Sequence, residues 1–170
     1  ETLTRLILER AATARQAVRI AGALIEKHGW CDEGEALSIA DPKEVWLMEI
    51  VGPGEDEVGA VWAAQRVPDD HICVSANSAR IGEIDLANGD FFMASKNVVE
   101  LAKDRGYWDP QSGEPFRFYG AYNPKGRTSF ASTRREWRVL DLLAPSLGLE
   151  PNANVFPFSV KPEEPVRPER

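Results

Sequence analysis

Cysteine occurs only twice in this 170-residue chain, at Cys31 and Cys73, with no CxxC pair and no dense pattern. That excludes a zinc cage and a disulfide scaffold as organising devices, and spacing leaves open only whether the two pair with each other. No apolar run approaches the ~20 residues of a membrane helix, so the chain reads as soluble. Basic residues are the scarcer charge, 20 against 27 acidic ones for a formal net charge of -7. A phosphate-binding surface would work against that field, which makes nucleic acid a poor partner. A glycine-rich phosphate loop, a GxSxG elbow and a helix with paired histidines are missing too, and nothing calls for a cofactor. The sequence opens at Glu1 with neither an initiator Met nor a signal peptide. The expectation is a gene product that begins upstream, with its compartment, cytoplasmic or exported, left open.

What is present is enough apolar material for one domain: 43% hydrophobic residues and five tryptophans. The central run is Glu44 to Leu86. In it Trp46, Met48 and Ile50 alternate with Val45, Leu47, Glu49 and Val51, the period of a strand with one side in a core. From Ala60 to Val67, Trp62, Ala64 and Arg66 alternate with Val61, Ala63, Gln65 and Val67, a second strand. Pro68-Asp69-Asp70 supplies a turn, and Ile72 to Ala76 is predicted as a third strand that delivers Asn77 and Arg80 to a loop. Polar groups at the end of a buried strand are held firmly and stay reachable; the plainer role for Asn77 is to cap a turn.

Upstream, the spacing predicts a short helix over Thr2 to Ala11. Thr13 and Gln16 form a capping-box pattern that starts a second helix, and Gly29 is placed to end it after Lys27 and His28. His28 reads as a cation at a helix C-terminus. Glu35 to Ala40 and Val45 to Val51 flank Asp41-Pro42-Lys43-Glu44 as a β-hairpin. The carboxylates of Glu55, Asp56 and Glu57 lack the ligand order of a calcium loop and read as a solvated hairpin tip.

Downstream, Ser95 is an N-cap candidate for a helix ending at Gly106. The aromatic stretch from Tyr107 to Tyr122 reads as a long loop pinned by rings. Ser132 or Thr133 is a cap candidate for a helix from Arg134 to Leu143, on which Arg135 and Arg138 are surface neighbours. Residues 161–170 are Pro-rich and charged, a terminal tail or a connection to further sequence. As for chemistry, His71 and Cys73 share a strand face and could form a thiol–base pair, but a Cys alternating with Ile72 and Val74 is most simply a half-buried strand residue.

Long ordered motifs carry a resemblance. EVWLMEIVGPG, VWAAQRVPDDHICVSANSARIGEIDL, YWDPQSGEPFRFYGAY and STRREWRVLDLLAPSL together resemble the bacterial dipeptidase family of cysteine N-terminal-nucleophile hydrolases, over about Thr2 to Lys161. The resemblance implies an α+β fold, the four-layer αββα sandwich or a partial version with an antiparallel sheet and flanking helices. Residues 1–160 would be an internal part of one such domain. It implies hydrolysis of dipeptides by a cysteine at the first position of the mature chain, through an acyl-enzyme and with no cofactor. Asn77 matches the strand-end asparagine whose amide helps form the oxyanion hole, and Arg135 the arginine that braces the nucleophile region, with Arg138 as its alternative. Because this sequence opens in a helix and its cysteines match no nucleophile motif, the expectation is an internal portion whose partners are a dipeptide and the remainder of the enzyme. A homo-oligomer stays open. The alternative is a non-catalytic assembly or peptide-binding domain derived from the family.

Overall fold

Two short helices open the chain and then pack across one face of an antiparallel sheet. The computed structural model describes residues 2–54 and 57–164, so the Glu55 and Asp56 of the acidic tip and the last six residues of the tail lie outside the described residues. Helix α1 is Thr2–Leu8, shorter than its apolar spacing suggests, and α2 is Ala14–His28. The Thr13 hydroxyl accepts the Gln16 N–H at 3.1 Å. The return arm of the capping box goes elsewhere, since Gln16 Oε1 accepts the N–H of Ala12 at 2.8 Å. Gly29 ends the helix at φ 86°, ψ 164°, a positive φ without the left-handed ψ.

Strands β1 (Glu35–Ala40), β2 (Val45–Val51) and β3 (Val61–Val67) follow the predicted antiparallel path. The sheet order is β1-β2-β3-β5, with β5 at Phe92–Ala94. Three residues are too few to show a period, and this edge strand has no counterpart among the strands expected from the sequence. The turn between β1 and β2 is organised by Asp41, whose carboxylate accepts the N–H groups of Lys43 (2.7 Å) and Glu44 (3.0 Å). Its second oxygen accepts the N–H of Ala14 at 2.7 Å, tying the turn to the first residue of α2.

Both faces of the sheet are covered. Trp46, Met48, Ile50, Trp62 and Ala64 meet Val18, Ala21 and Ile25 of α2. On the opposite face Val61 and Ala63 pack with Ile81, Val98 and Phe118. The reading of β2 as a strand with one buried side is therefore corrected: Leu47 and Glu49 of its mixed face are buried as completely as Trp46 and Met48.

The third strand is also different from its expectation. β4 is only Ile72–Cys73, and it pairs with β6 (Ser159–Val160) in a separate two-stranded ribbon. Beyond Cys73 the chain leaves regular pairing on its way to Asn77. Helix α3 (Val98–Asp104) follows Asn97, while the Ser95 hydroxyl accepts the buried N–H of Trp62 at 3.2 Å, so Ser95 secures β3 and does not cap the helix.

In the aromatic stretch the rings do pin the chain: Tyr107 and Phe116 meet Tyr122 edge-on, and Phe118 packs against it at a tilt. Part of it is helical, however, with α4 at Phe118–Tyr122 and a 3-10 turn at Pro124–Thr128. Helix α5 (Phe130–Leu143) begins four residues earlier than expected. Ser129 is its cap, and Ser132 and Thr133 are buried inside it. Of the tail, Lys161 pairs with Asp70 at 2.8 Å, and Glu163 takes the N–H of Ser146 at 2.7 Å.

Candidate active site

Asn77 sits at the apex of a turn between β4 and the loop that carries Arg80. At φ 58° it is the one non-glycine residue with positive φ among the described residues. Asparagine is one of the few side chains that tolerate this left-handed conformation. The turn exposes the side chain of Asn77, while its neighbours Ala76 and Ser78 are buried.

The side chain of Asn77 is oriented by Arg135 from the outward side of α5. Arg135 Nε donates to Ala131 O at 2.8 Å, which aligns the guanidinium along the helix. Its two terminal nitrogens then both donate to Asn77 Oδ1 at 3.0 Å, and one also reaches Ala76 O at 3.2 Å. A guanidinium only donates, so the amide atom facing it has to be the oxygen. The NH₂ of Asn77 is consequently turned away from Arg135, and it donates to no group among the described residues. Arg138, the alternative brace, pairs with Asp141 on the same helix at 3.0 Å.

Beneath the turn lies a buried ionic cluster. Glu136, fully buried on α5, receives Arg80 at 2.7 Å, Arg127 at 2.6 and 3.0 Å, and the Ser78 hydroxyl at 3.0 Å. Arg127 also donates to Ser78 Oγ, and Arg80 to Pro157 O. The C-terminal side of the turn is fixed by Asn123, whose Oδ1 accepts the Ala79 N–H at 3.1 Å. A Cβ on Gly126 would lie 1.8 Å from that same oxygen, so only glycine fits there.

Glu49 reaches the turn from the sheet. It stands between Ala36 and Ala63, whose small side chains leave it room, and its carboxylate accepts the N–H groups of Arg80 (2.5 Å) and Ile81 (3.1 Å). Burial pushes its carboxyl up to about 7; the two N–H groups and the charges of Arg80 and Arg127 pull the other way. Glu49, Ser78, Arg127 and Glu136 escaped the reading of the sequence. One signal was visible: a Glu alternating with Leu47 and Val51 at the centre of a strand needs partners if that face is covered.

The thiol–base pair does not form. His71 Nδ1 lies 3.1 Å from Ser159 Oγ and His71 Nε2 lies 3.9 Å from Asp70. Burial pushes the Cys73 thiol up to about 12, leaving it protonated at neutral pH. Cys31 is exposed, and the two cysteines are free. A cavity of about 510 Å³ opens between the β1–β2 turn and β4, lined by Asp41, Glu44, Trp46, His71, Cys73 and Ser75 among others. It ends two residues short of Asn77. Among the described residues no three His, Cys, Asp or Glu side chains gather as a metal site, and no helix is long and apolar enough to cross a membrane.

The fold and the turn define an α+β domain that holds one side-chain amide at a loop apex, its oxygen occupied by a guanidinium. The sequence matches peptidase family C69 over residues 1–168, and the chain belongs to that family. It is 37% identical over 123 residues to a probable dipeptidase of Salmonella dublin, an alignment covering 72% of this chain and 27% of that protein. With a probable dipeptidase of Latilactobacillus sakei the identity is 30% over 159 residues, 93% of this chain and 32% of the relative. A probable dipeptidase B of Lactococcus lactis subsp. lactis is 35% identical over 101 residues, 59% of this chain and 20% of that protein. The chain spans no more than about a third of the length of these relatives.

Proposed function

We propose that this chain is the oxyanion-stabilising part of a cysteine-type dipeptidase, with Asn77 as hydrogen-bond donor and Arg135 as the residue that orients it. The observation that carries the reading is the Arg135–Asn77 contact, because it leaves the amide NH₂ aimed outward at a reachable turn. When a thiolate attacks a peptide carbonyl, charge gathers on the carbonyl oxygen. A donor already in position stabilises that charge without any cost of reorganisation at the moment of reaction. The buried cluster beneath the turn gives Asn77 the rigidity such a donor needs.

In this reading the nucleophilic thiol comes from sequence outside these 170 residues. Two things support that: Cys73 is held protonated by burial, and the curated relatives are about three times longer than the chain. The acyl-enzyme would form when that thiolate attacks the carbonyl and the protonated amine leaves; water would then cleave the thioester, releasing the acid and restoring the thiol, and Asn77 would serve both tetrahedral intermediates. The peptide as substrate class rests on the relatives, which are probable dipeptidases.

The test compares hydrolysis of a mixed dipeptide pool by the 170-residue chain and by the full-length product of its gene, each with and without a thiol-alkylating agent. Activity confined to the longer protein and abolished by alkylation is the expected result. In that protein Asn77→Ala lowers kcat by about 10²- to 10³-fold with little change in KM. Dipeptide hydrolysis by the 170-residue chain would overturn the assignment of the nucleophile, and an unchanged kcat in Asn77→Ala would overturn the role of Asn77.

A further inference from the structure

Glu49 has no place in the chemistry just described, yet among the described residues it is the one side chain of the sheet that grips the Asn77 loop through its backbone. Its two oxygens accept the N–H groups of Arg80 and Ile81, three and four residues beyond Asn77. Both oxygens act as acceptors, the role in which the carboxylate is strongest. A proton on either oxygen removes its charge and one of its lone pairs, which weakens the bond that oxygen accepts from a buried N–H.

We propose that Glu49 is a positioning residue for the amide of Asn77: its ionised carboxylate clamps the loop, and protonation of Glu49 releases one side of the clamp and misplaces the donor. The proposal rests on the reading of Asn77 as an oxyanion donor.

Charge balance in the cluster supports it. Facing Glu49 are Arg80 from the loop itself, Arg127 from the 3-10 turn and the Cys73 thiol from β4, and both guanidinium groups are also held by Glu136 of α5. With Glu49 and Glu136 ionised, two carboxylates balance two guanidinium groups, and the thiol stays neutral. Protonating Glu49 leaves a surplus positive charge in a buried site. Burial opposes the charged form strongly enough to bring the titration to about pH 7, inside the working range of most enzymes. Arg80 couples the two halves of the device, since its N–H is held by Glu49 while its guanidinium is held by Glu136.

The first measurement needs no variant and no activity. Proton–nitrogen NMR of the full-length gene product from pH 5 to 8.5 follows the Arg80 and Ile81 amides and the side-chain NH₂ of Asn77. The expected result is one shared titration in all three signals near pH 7, absent from the amides of the β2–β3 ladder. Independent behaviour of the Asn77 NH₂, or no titration of Arg80 and Ile81, would overturn the proposal. In the full-length gene product, kcat at pH 5.5 falls roughly thirtyfold below its alkaline plateau, the fraction expected for a group titrating near 7, while KM changes little. Glu49→Gln, a permanent mimic of the protonated form, is expected to give a low and flat kcat over the same range. A Glu49→Gln enzyme with the wild-type pH profile would overturn the clamp. The reading of Asn77 is judged separately: if Asn77→Ala keeps full kcat, the oxyanion role falls whether or not the NMR signals titrate together.

Discussion

Arg135 does more at the site than its charge suggests, because its fork geometry decides which end of an amide faces outward. A lysine ammonium in its place would be a single flexible point charge, unable to hold Asn77 Oδ1 with two nitrogens while also reaching Ala76 O. Without the fork, the Asn77 amide is free to flip, and in the proposed role it would then present its oxygen to the developing oxyanion, which repels it. Arg135→Lys is therefore expected to lower kcat of the full-length gene product by about tenfold to a hundredfold, with KM nearly unchanged. Arg138→Ala, whose guanidinium goes to Asp141 instead, should leave kcat within about twofold, as for an ordinary surface position. Equal losses in the two variants would mean that positive charge on α5, and not the orientation of Asn77, is what matters. Resemblance pointed to Asn77 and Arg135 separately, one for the oxyanion hole and the other as a brace of the nucleophile region, and their contact was not legible at all. Nothing in the spacing of residues 58 positions apart could show that one would bond the other. What spacing did show is that an Asn stood where apolar alternation stops, a place where backbone conformation leaves the extended region.

At the scale of elements, α2 and β3 are joined by a contact that sequence periodicity half reveals. Trp62 points into the α2 side of the sheet, as its alternation with Ala63 requires, and its Nε1 donates to Glu26 of α2 at 2.7 Å. Gly22 makes that approach possible: a Cβ there would lie 2.4 Å from the indole ring. Alanine is the better helix former by about 1 kcal/mol, but inserting a methyl into this contact costs roughly 1 to 3 kcal/mol. Gly22→Ala is thus expected to lower stability in urea unfolding, with weakened tryptophan burial as the spectroscopic sign; a stabilised Gly22→Ala would mean that α2 sits further from the sheet. Helix ends were harder to read than helix faces. Ser129, Ser132 and Thr133 all fit a cap by composition, and only the chain path from the 3-10 turn selects Ser129, whose hydroxyl accepts the Ser132 N–H at 3.4 Å. The long bond marks a weak cap, so Ser129→Ala should cost no more than about 1 kcal/mol in the same experiment. The strand expected over Ile72 to Ala76 shrinks to Ile72–Cys73 and β5 escaped altogether for a related reason: the extent of each is set by the distant segment that pairs with it, Ser159–Val160 or Ala63–Gln65.

For the molecule as a whole, the buried cluster sets the sign of its pH dependence. Glu49 titrates near 4.5 in an unfolded chain and near 7 when folded, so the folded state binds its proton more tightly. The stability this gives is fully present below about pH 4.5 and is lost as pH rises toward 7, amounting to on the order of 3 kcal/mol across that window. Surface carboxylates act in the opposite direction. Asp41, held low chiefly by the N–H groups of Ala14 and Lys43, contributes stability at neutral pH that is lost as pH falls below the ordinary carboxylate range. The net profile should therefore show a maximum on the acid side of neutrality, set between the titration of Asp41 and that of Glu49. Chemical unfolding from pH 3.5 to 8 tests this: wild-type stability is expected to decline from about pH 5 to 7.5, and Glu49→Gln to lack that decline. A wild-type profile rising steadily to pH 8 would show that the N–H groups and guanidinium charges outweigh burial and keep Glu49 ionised throughout. If the decline is seen, the molecule is least helped by Glu49 where the clamp on Asn77 is complete. Charge in the interior is then retained at a cost in stability because the loop needs both oxygens of the carboxylate, a trade expected where buried groups serve a site and not the fold alone.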